Sequence, residues 1–303
     1  MDNLLNDIKE DFKVFEQNCK NRLNTTEKTK EGIKEITKSI NNFFREQKLD
    51  ACTIGISGGI DSAVALALLT EAQKQENSPL KKVVPVTIPF NNVKGATDQE
   101  DSTYYARLVV DKFLNEEIKV INLEEAYKSI VHNSGLEDND EYAWVNGQML
   151  SVLRTPVLYH QAALLQKDGY KSIVVGTVNK VEYHLGYWGK ASDMMVDLQI
   201  LTKLLKFEVY NIAKELGVPD EVINRIPKGD VYDNKSDYEM IGAPYEFLDI
   251  MLHDSQNYDE TGKINDSIDY VKYSPFTKNV YYKQIVRNNH KRETGHPCHF
   301  LYW

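Results

Sequence analysis

The chain has 303 residues, 42% of them hydrophobic, enough to bury the core of one large α/β domain. Its net charge of −9 excludes a surface that tracks a nucleic-acid backbone, because such surfaces need an excess of lysine and arginine to displace counterions. No apolar stretch is long enough for a bilayer span, and three scattered cysteines, Cys19, Cys52 and Cys298, offer neither a disulfide framework nor a zinc site, so a reducing, cytoplasmic setting is expected.

Residues 1–48 are polar with apolar positions at helical spacing, including Ile33, Ile36, Ile40 and Phe44, which predicts one or two amphipathic helices ahead of a main domain over 49–303. Thr53–Ile56 reads as a strand, Ser62–Gln75 as a helix and Lys82–Ile88 as a second buried strand. Asp98–Leu114 follows as a helix with acids in its first turn. Ile118–Asn122 is predicted as a third strand, Ala143–Gln166 as a long helix and Ser172–Gly176 as a fourth strand. This alternation predicts an α/β fold, a doubly wound parallel sheet with flanking helices and a ligand crevice at the strands' carboxyl ends. Beyond residue 185 the strand signal fades into a loop over 186–197 and a helix Lys206–Leu216, closed by Gly217 and Pro219. Two polar stretches, Gly229–Asp237 and Asp254–Ser267, have the composition of loops that order around a ligand.

The most informative stretch is Gly55-Ile56-Ser57-Gly58-Gly59-Ile60-Asp61-Ser62, which lies between an apolar run and a helix. Glycines let the backbone approach an anion, and the unpaired N–H groups of a first helical turn stabilise it. Asp61 would repel a bare triphosphate, so a bridging divalent cation is implied, with magnesium the best chemical match. No lysine follows the glycines, so this is not the loop of ordinary γ-phosphoryl transfer.

SGGxDS resembles the signature of the PP-loop ATP pyrophosphatase superfamily, whose members cleave ATP between its α and β phosphates. Further matches follow in order: Gly176-Thr177-x-Asn179-Lys180-x-Glu182, Gly186-Tyr187, Lys190, Asp193, Asp197, Lys206, Ile226-Pro227 with Asp230, and His290-Lys291-Arg292. In this order and spacing they resemble the ammonia-dependent NAD synthetase family, over about Ile33 to Pro297. The resemblance implies a Rossmann-like fold and ATP-dependent amidation of deamido-NAD by ammonia. It gives Gly55 to Ser62, Thr177 and Lys206 to ATP, with Asp61 and Lys206 as catalytic groups. Asp61 and Glu182 would share magnesium, and Arg154, Lys190, Asp197, His290 and Lys291 would contact deamido-NAD. It also implies a homodimer, to which the helix at 31–46 could contribute.

Two departures stand out. Where the family carries two arginines on one helix, this chain has Arg154 alone and Val152 at the other position. The family's small hydroxyl residue after Pro227 is here Lys228, retained as an ATP-side candidate because a cation also suits a phosphate. About 48 residues precede the cradle, too few for a glutaminase domain of typical size, so free ammonia is the expected nitrogen source. Two alternatives stay open: another PP-loop adenylating ligase with a different acceptor, and a non-catalytic nucleotide sensor.

Overall fold

Side chains along Ala51–Gly55 alternate between two faces of a sheet: Cys52 and Ile54 join one apolar cluster, and Ala51 joins another on the opposite side. A strand buried on both faces belongs at the middle of a helix-covered parallel sheet, and that is its place. The computed structural model describes residues 2–94, 96, 99–229, 235–253, 272–292 and 298–303. Its strands are β1 (Ala51–Gly55), β2 (Lys82–Thr87), β3 (Lys119–Val120), β4 (Ser172–Gly176), β5 (Leu198–Gln199) and β6 (His299–Phe300). All neighbours are parallel, in the order β3-β2-β1-β4-β5-β6.

The helices in chain order are α1 (Asp2–Asn18), α2 (Thr26–Glu46), α3 (Ile60–Lys74), α4 (Gln99–Phe113), α5 (Glu124–Asn133), α6 (Ala143–Lys167) and α7 (Lys180–Leu185). They continue with α8 (Lys206–Leu216), α9 (Asp220–Ile223), α10 (Asp237–Ile241), α11 (Tyr245–Leu252), α12 (Ser274–Lys278) and α13 (Asn289–Arg292), with a π-helical stretch over Asn279–Val286. Helix α3 is buried over all of Ala63–Leu69 because α2, α4 and α8 pack around it, while α6 covers the other face of β1 and β4. Among the described residues no helix is long and apolar enough to cross a membrane.

The first four strands lie where the sequence places them, with ends shifted by at most two residues, and β3 shrinks to the pair Lys119–Val120. Pro85 is tolerated inside β2 because β3 pairs only Val86 and Thr87, leaving no ladder donor to lose at that position. The reading that strands end before residue 185 is corrected by β5 and β6. Two residues show no periodicity, and β6 returns from the far end of the chain. The apolar stripe of α2 finds its partner within the chain: Ile36, Ile40 and Phe44 are buried against the core, beside α3 and α8. Ile8 of α1 enters a second cluster with Phe247, Leu248 and Met251 of α11. Residues 230–234 and the whole of Asp254–Ser267 lie outside the described residues, as do Asp98, Asp230 and Pro297.

Candidate active site

Strand order reverses between β1 and β4, and the crevice at their carboxyl ends holds both the Gly55–Ser62 loop and Gly176–Glu182. The loop leaves β1 tied to the sheet by Ile56 N–H, which donates to Val86 O at 2.8 Å. Ser62 Oγ accepts from Ser57 N–H at 3.2 Å and donates to Gly59 O at 3.0 Å, while Ser57 Oγ accepts from Gly59 N–H at 3.3 Å. Gly58 takes φ +77°, and a Cβ there would lie 2.5 Å from Ser102 O and 2.9 Å from Tyr105 Cβ, so only glycine fits. Gly59, the N-cap of α3, brings no side-chain acceptor to the first turn, whose N–H groups are thereby suited to an anion.

Asp61, the second residue of α3, lies at the centre of a buried charged cluster. Its Oδ2 accepts from Lys206 Nζ at 2.5 Å and its Oδ1 from Asn179 Nδ2 at 2.9 Å. Asn179 caps α7, accepting from Glu182 N–H, and Glu182 Oε2 accepts in return from Asn179 N–H, both at 3.0 Å. Lys206 is the first residue of α8, whose start is held by Asp249 of α11: the two carboxylate oxygens accept from Lys206 N–H and Phe207 N–H, each at 2.9 Å. Asp237 faces the same ammonium, accepting from Tyr245 Oη at 2.7 Å and Tyr187 Oη at 3.4 Å, and the Tyr245 ring lies 4.9 Å from Lys206 Nζ.

Burial opposes the charge on Lys206, yet Asp61, Glu182 and Asp237 outweigh it and hold the ammonium above its ordinary pKa. Glu182 moves well up, first because it is desolvated and then because Asp61 is near, with Lys206 acting against both. Asp237 rises by burial, partly offset by Lys206, and burial raises Asp249 to about 8 despite its two N–H donors. Three carboxyl groups facing one lysine gather more hard oxygen donors than that ammonium can partner, and the upward shifts of Glu182 and Asp237 are ones a divalent cation would oppose. Among the described residues no group of three or more histidines, cysteines and acids is arranged to hold a metal. Asp61 and Glu182 are the two carboxylates that could be offered to a cation whose remaining ligands are water and phosphate oxygens.

The remaining candidates fall into separate places. Thr177 follows β4 at the crevice, half-buried. Lys190, His290 and Lys291 come together: Lys190 Nζ donates to His290 O at 3.2 Å, and Lys291 Nζ donates to Gly186 O and Trp188 O at 2.8 and 2.5 Å. Arg154 spans the ends of β2 and α4, donating to Ile88 O at 3.2 Å and Gln99 Oε1 at 3.5 Å beside the Phe90 ring. Asp197 is engaged inside the sheet, where Oδ2 accepts from Val174 N–H at 2.7 Å and Oδ1 from Tyr159 Oη at 3.3 Å. Lys228 bridges in antiparallel fashion to Ser236. Sequence reasoning missed Asp237, Tyr245 and Asp249, and it quoted Asn179 without a role. Asp237 fell at the end of an expected loop, and the other two come from a segment with no recognisable pattern.

The family model for NAD synthase matches residues 32–295. An NH(3)-dependent NAD(+) synthetase from Pyrococcus horikoshii is 34% identical over 217 residues, 72% of this chain and 76% of that protein. One from Finegoldia magna is 30% identical over 266 residues, 88% of this chain and 95% of that protein. Among solved structures, NMN synthetase from Francisella tularensis shares the fold with TM-score 0.69 at 22% identity, covering 88% of this chain and 97% of that one. The NAD+ synthetase from Burkholderia pseudomallei does so with TM-score 0.62 at 20% identity, covering 87% and 90%.

Proposed function

Because the chain belongs to the NAD synthase family, we propose that it joins ammonia to the nicotinate carboxylate of deamido-NAD at the expense of ATP, giving NAD, AMP and pyrophosphate. The observation that carries this reading is Asp61 in the first turn of α3, whose N-cap offers no side-chain acceptor, paired with buried Lys206 and flanked by Glu182.

In the first step a nicotinate oxygen attacks the α-phosphorus of ATP, the α–β P–O bond breaks, and pyrophosphate departs. The N–H groups after Gly59 receive phosphate oxygens, with the Ser57 and Ser62 hydroxyls beside them. An ammonium has three N–H donors, so Lys206 can hold Asp61 and a departing phosphate oxygen together, and its raised pKa keeps it charged for both. A divalent cation held by Asp61 and Glu182 would screen the triphosphate and polarise its oxygens. In the second step ammonia attacks the acyl carbon, the bond to AMP breaks, and the surplus proton leaves with solvent. A carboxylate is a poor acyl donor, whereas an acyl-adenylate has a good leaving group; the protein's part is positioning and charge stabilisation. Lys190, His290 and Lys291, gathered on one side, supply two ammonium groups and an imidazole to the acceptor site, with Arg154 and Asp197 on other elements and Lys228 and Thr177 on the ATP side.

The test is incubation with ATP, magnesium, ammonium and deamido-NAD, with chromatography for NAD and AMP; ADP and phosphate as products would overturn the reading. Val152, in place of a dinucleotide-contacting arginine and 40% exposed on α6, favours a second reading in which the acceptor is nicotinic acid mononucleotide. Comparing kcat/KM for the two acceptors separates them. The same reading includes a homodimer in the cytoplasm. Support comes from Trp144, Val145 and Val152, exposed within about 100° of one another on α6, and from three free cysteines. Trp144→Asp, which puts a charge at the most exposed apolar side chain of that face, should convert dimer to monomer in sedimentation; an unchanged mass would exclude this face.

A further inference from the structure

The Gly58 conformation requires something to hold the loop against α4, and the residue doing so is a cation with no part in the steps above. Arg225 follows α9, two residues ahead of Pro227. Its Nη1 donates to Gly58 O at 3.3 Å, its Nη2 donates to Ser102 Oγ at 3.1 Å, and its guanidinium lies 4.7 Å from the centre of the Tyr105 ring. Ser102 and Tyr105 are the residues against which a Gly58 side chain would collide, so backbone, hydroxyl and ring are gathered on one planar fork.

The peptide plane makes this contact consequential. In a trans peptide, C=O and the following N–H point in opposite directions, so fixing Gly58 O toward Arg225 fixes Gly59 N–H away from it. That N–H is aimed at Ser57 Oγ, 3.3 Å distant, on the side where α3 opens. We propose that Arg225 is a positioning residue for the nucleotide cradle: by holding the Gly58–Gly59 peptide plane against α4, it orients the loop's N–H groups toward the ATP phosphates. Without it the Gly58–Gly59 peptide keeps only the 3.3 Å bond from Gly59 N–H to Ser57 Oγ, and the N–H array must be reordered more often when a nucleotide binds.

This inference rests on the reading of the cradle as an ATP site, and the experiment separates the two. Binding of the non-cleavable analogue α,β-methylene-ATP with magnesium is measured by calorimetry for the unaltered protein, Arg225→Ala and Arg225→Lys, alongside melting temperatures and KM values for ATP and ammonium. Losing a charged hydrogen bond to the loop is expected to weaken nucleotide binding roughly ten- to a hundredfold in Arg225→Ala. KM for ATP should rise in parallel while KM for ammonium stays put. Arg225→Lys, which keeps charge but not the two-pronged geometry, should recover part of the affinity. If the unaltered protein binds and Arg225→Ala binds equally well, the clamp is wrong and the ATP site stands. If the unaltered protein does not bind, both fall. Should Arg225→Ala unfold, Arg225→Lys decides: affinity equal to the unaltered protein overturns the clamp.

Discussion

Asp61 holds a lysine that is only 2% exposed, so its carboxylate has a structural role as well as a chemical one. Replacing it with alanine leaves that ammonium facing Glu182 and Asp237 without its direct partner, which should cost up to about 3 kcal/mol, less than a wholly unpaired buried charge because those two acids remain. Asp61→Asn is the milder variant: it keeps an acceptor for Lys206 and removes the negative charge, at the cost of the bond from Asn179 Nδ2. AMP formation should disappear in both, while the melting temperature falls clearly only in Asp61→Ala. Retained AMP formation in Asp61→Asn would rule out the metal role. Gly58→Ala tests the cradle itself. A left-handed alanine costs about 1–2 kcal/mol before any collision is counted, and its methyl would overlap Ser102 O, so nucleotide binding measured by calorimetry should be lost.

At the scale of elements, the site depends on helix starts. Helices α3, α7 and α8 all begin at the crevice, and each presents one member of the charged cluster in its first turn: Asp61, Glu182 and Lys206. Helix α8 depends on α11, because Asp249 accepts two of its leading N–H groups. Asp249→Ala leaves both buried donors without a partner and should destabilise the protein by about 2 kcal/mol. It should also raise KM for ATP through the displaced Lys206; a variant as stable as the parent in urea would show that water replaces the cap. These starts were partly readable in advance. Asn179-x-x-Glu182 is a capping pattern in the residues themselves, whereas Asp249 caps a helix more than forty positions earlier, and no local pattern announces such a partner.

For the whole molecule, acid stability offers a reading of how the carboxyl-terminal part closes over the sheet. His184 is pushed down to about 3 by burial first and by the cations Lys180 and Arg292 after it. Its folded pKa lies below the ordinary 6.5, so the fold favours the neutral ring. The resulting stability is complete above about pH 6.5 and is lost as pH falls toward 3. His184→Asn should flatten this limb, so that urea midpoints at pH 7.5 and 4.5 differ less than in the parent; an equal difference would place the acid sensitivity elsewhere. The sequence by itself determined the sheet through β4, the glycine-rich strand-to-helix loop and the family, because those signals are local: apolar runs, glycines at a turn, and short motifs in a fixed order. Tertiary structure alone decided that α2 spends its apolar stripe on the chain's own core, that β6 returns from the far end to complete the sheet, and that Asp237, Tyr245 and Arg225 join the site. Each of these depends on contact between segments far apart in the chain, and a contact of that kind leaves no periodicity in either partner.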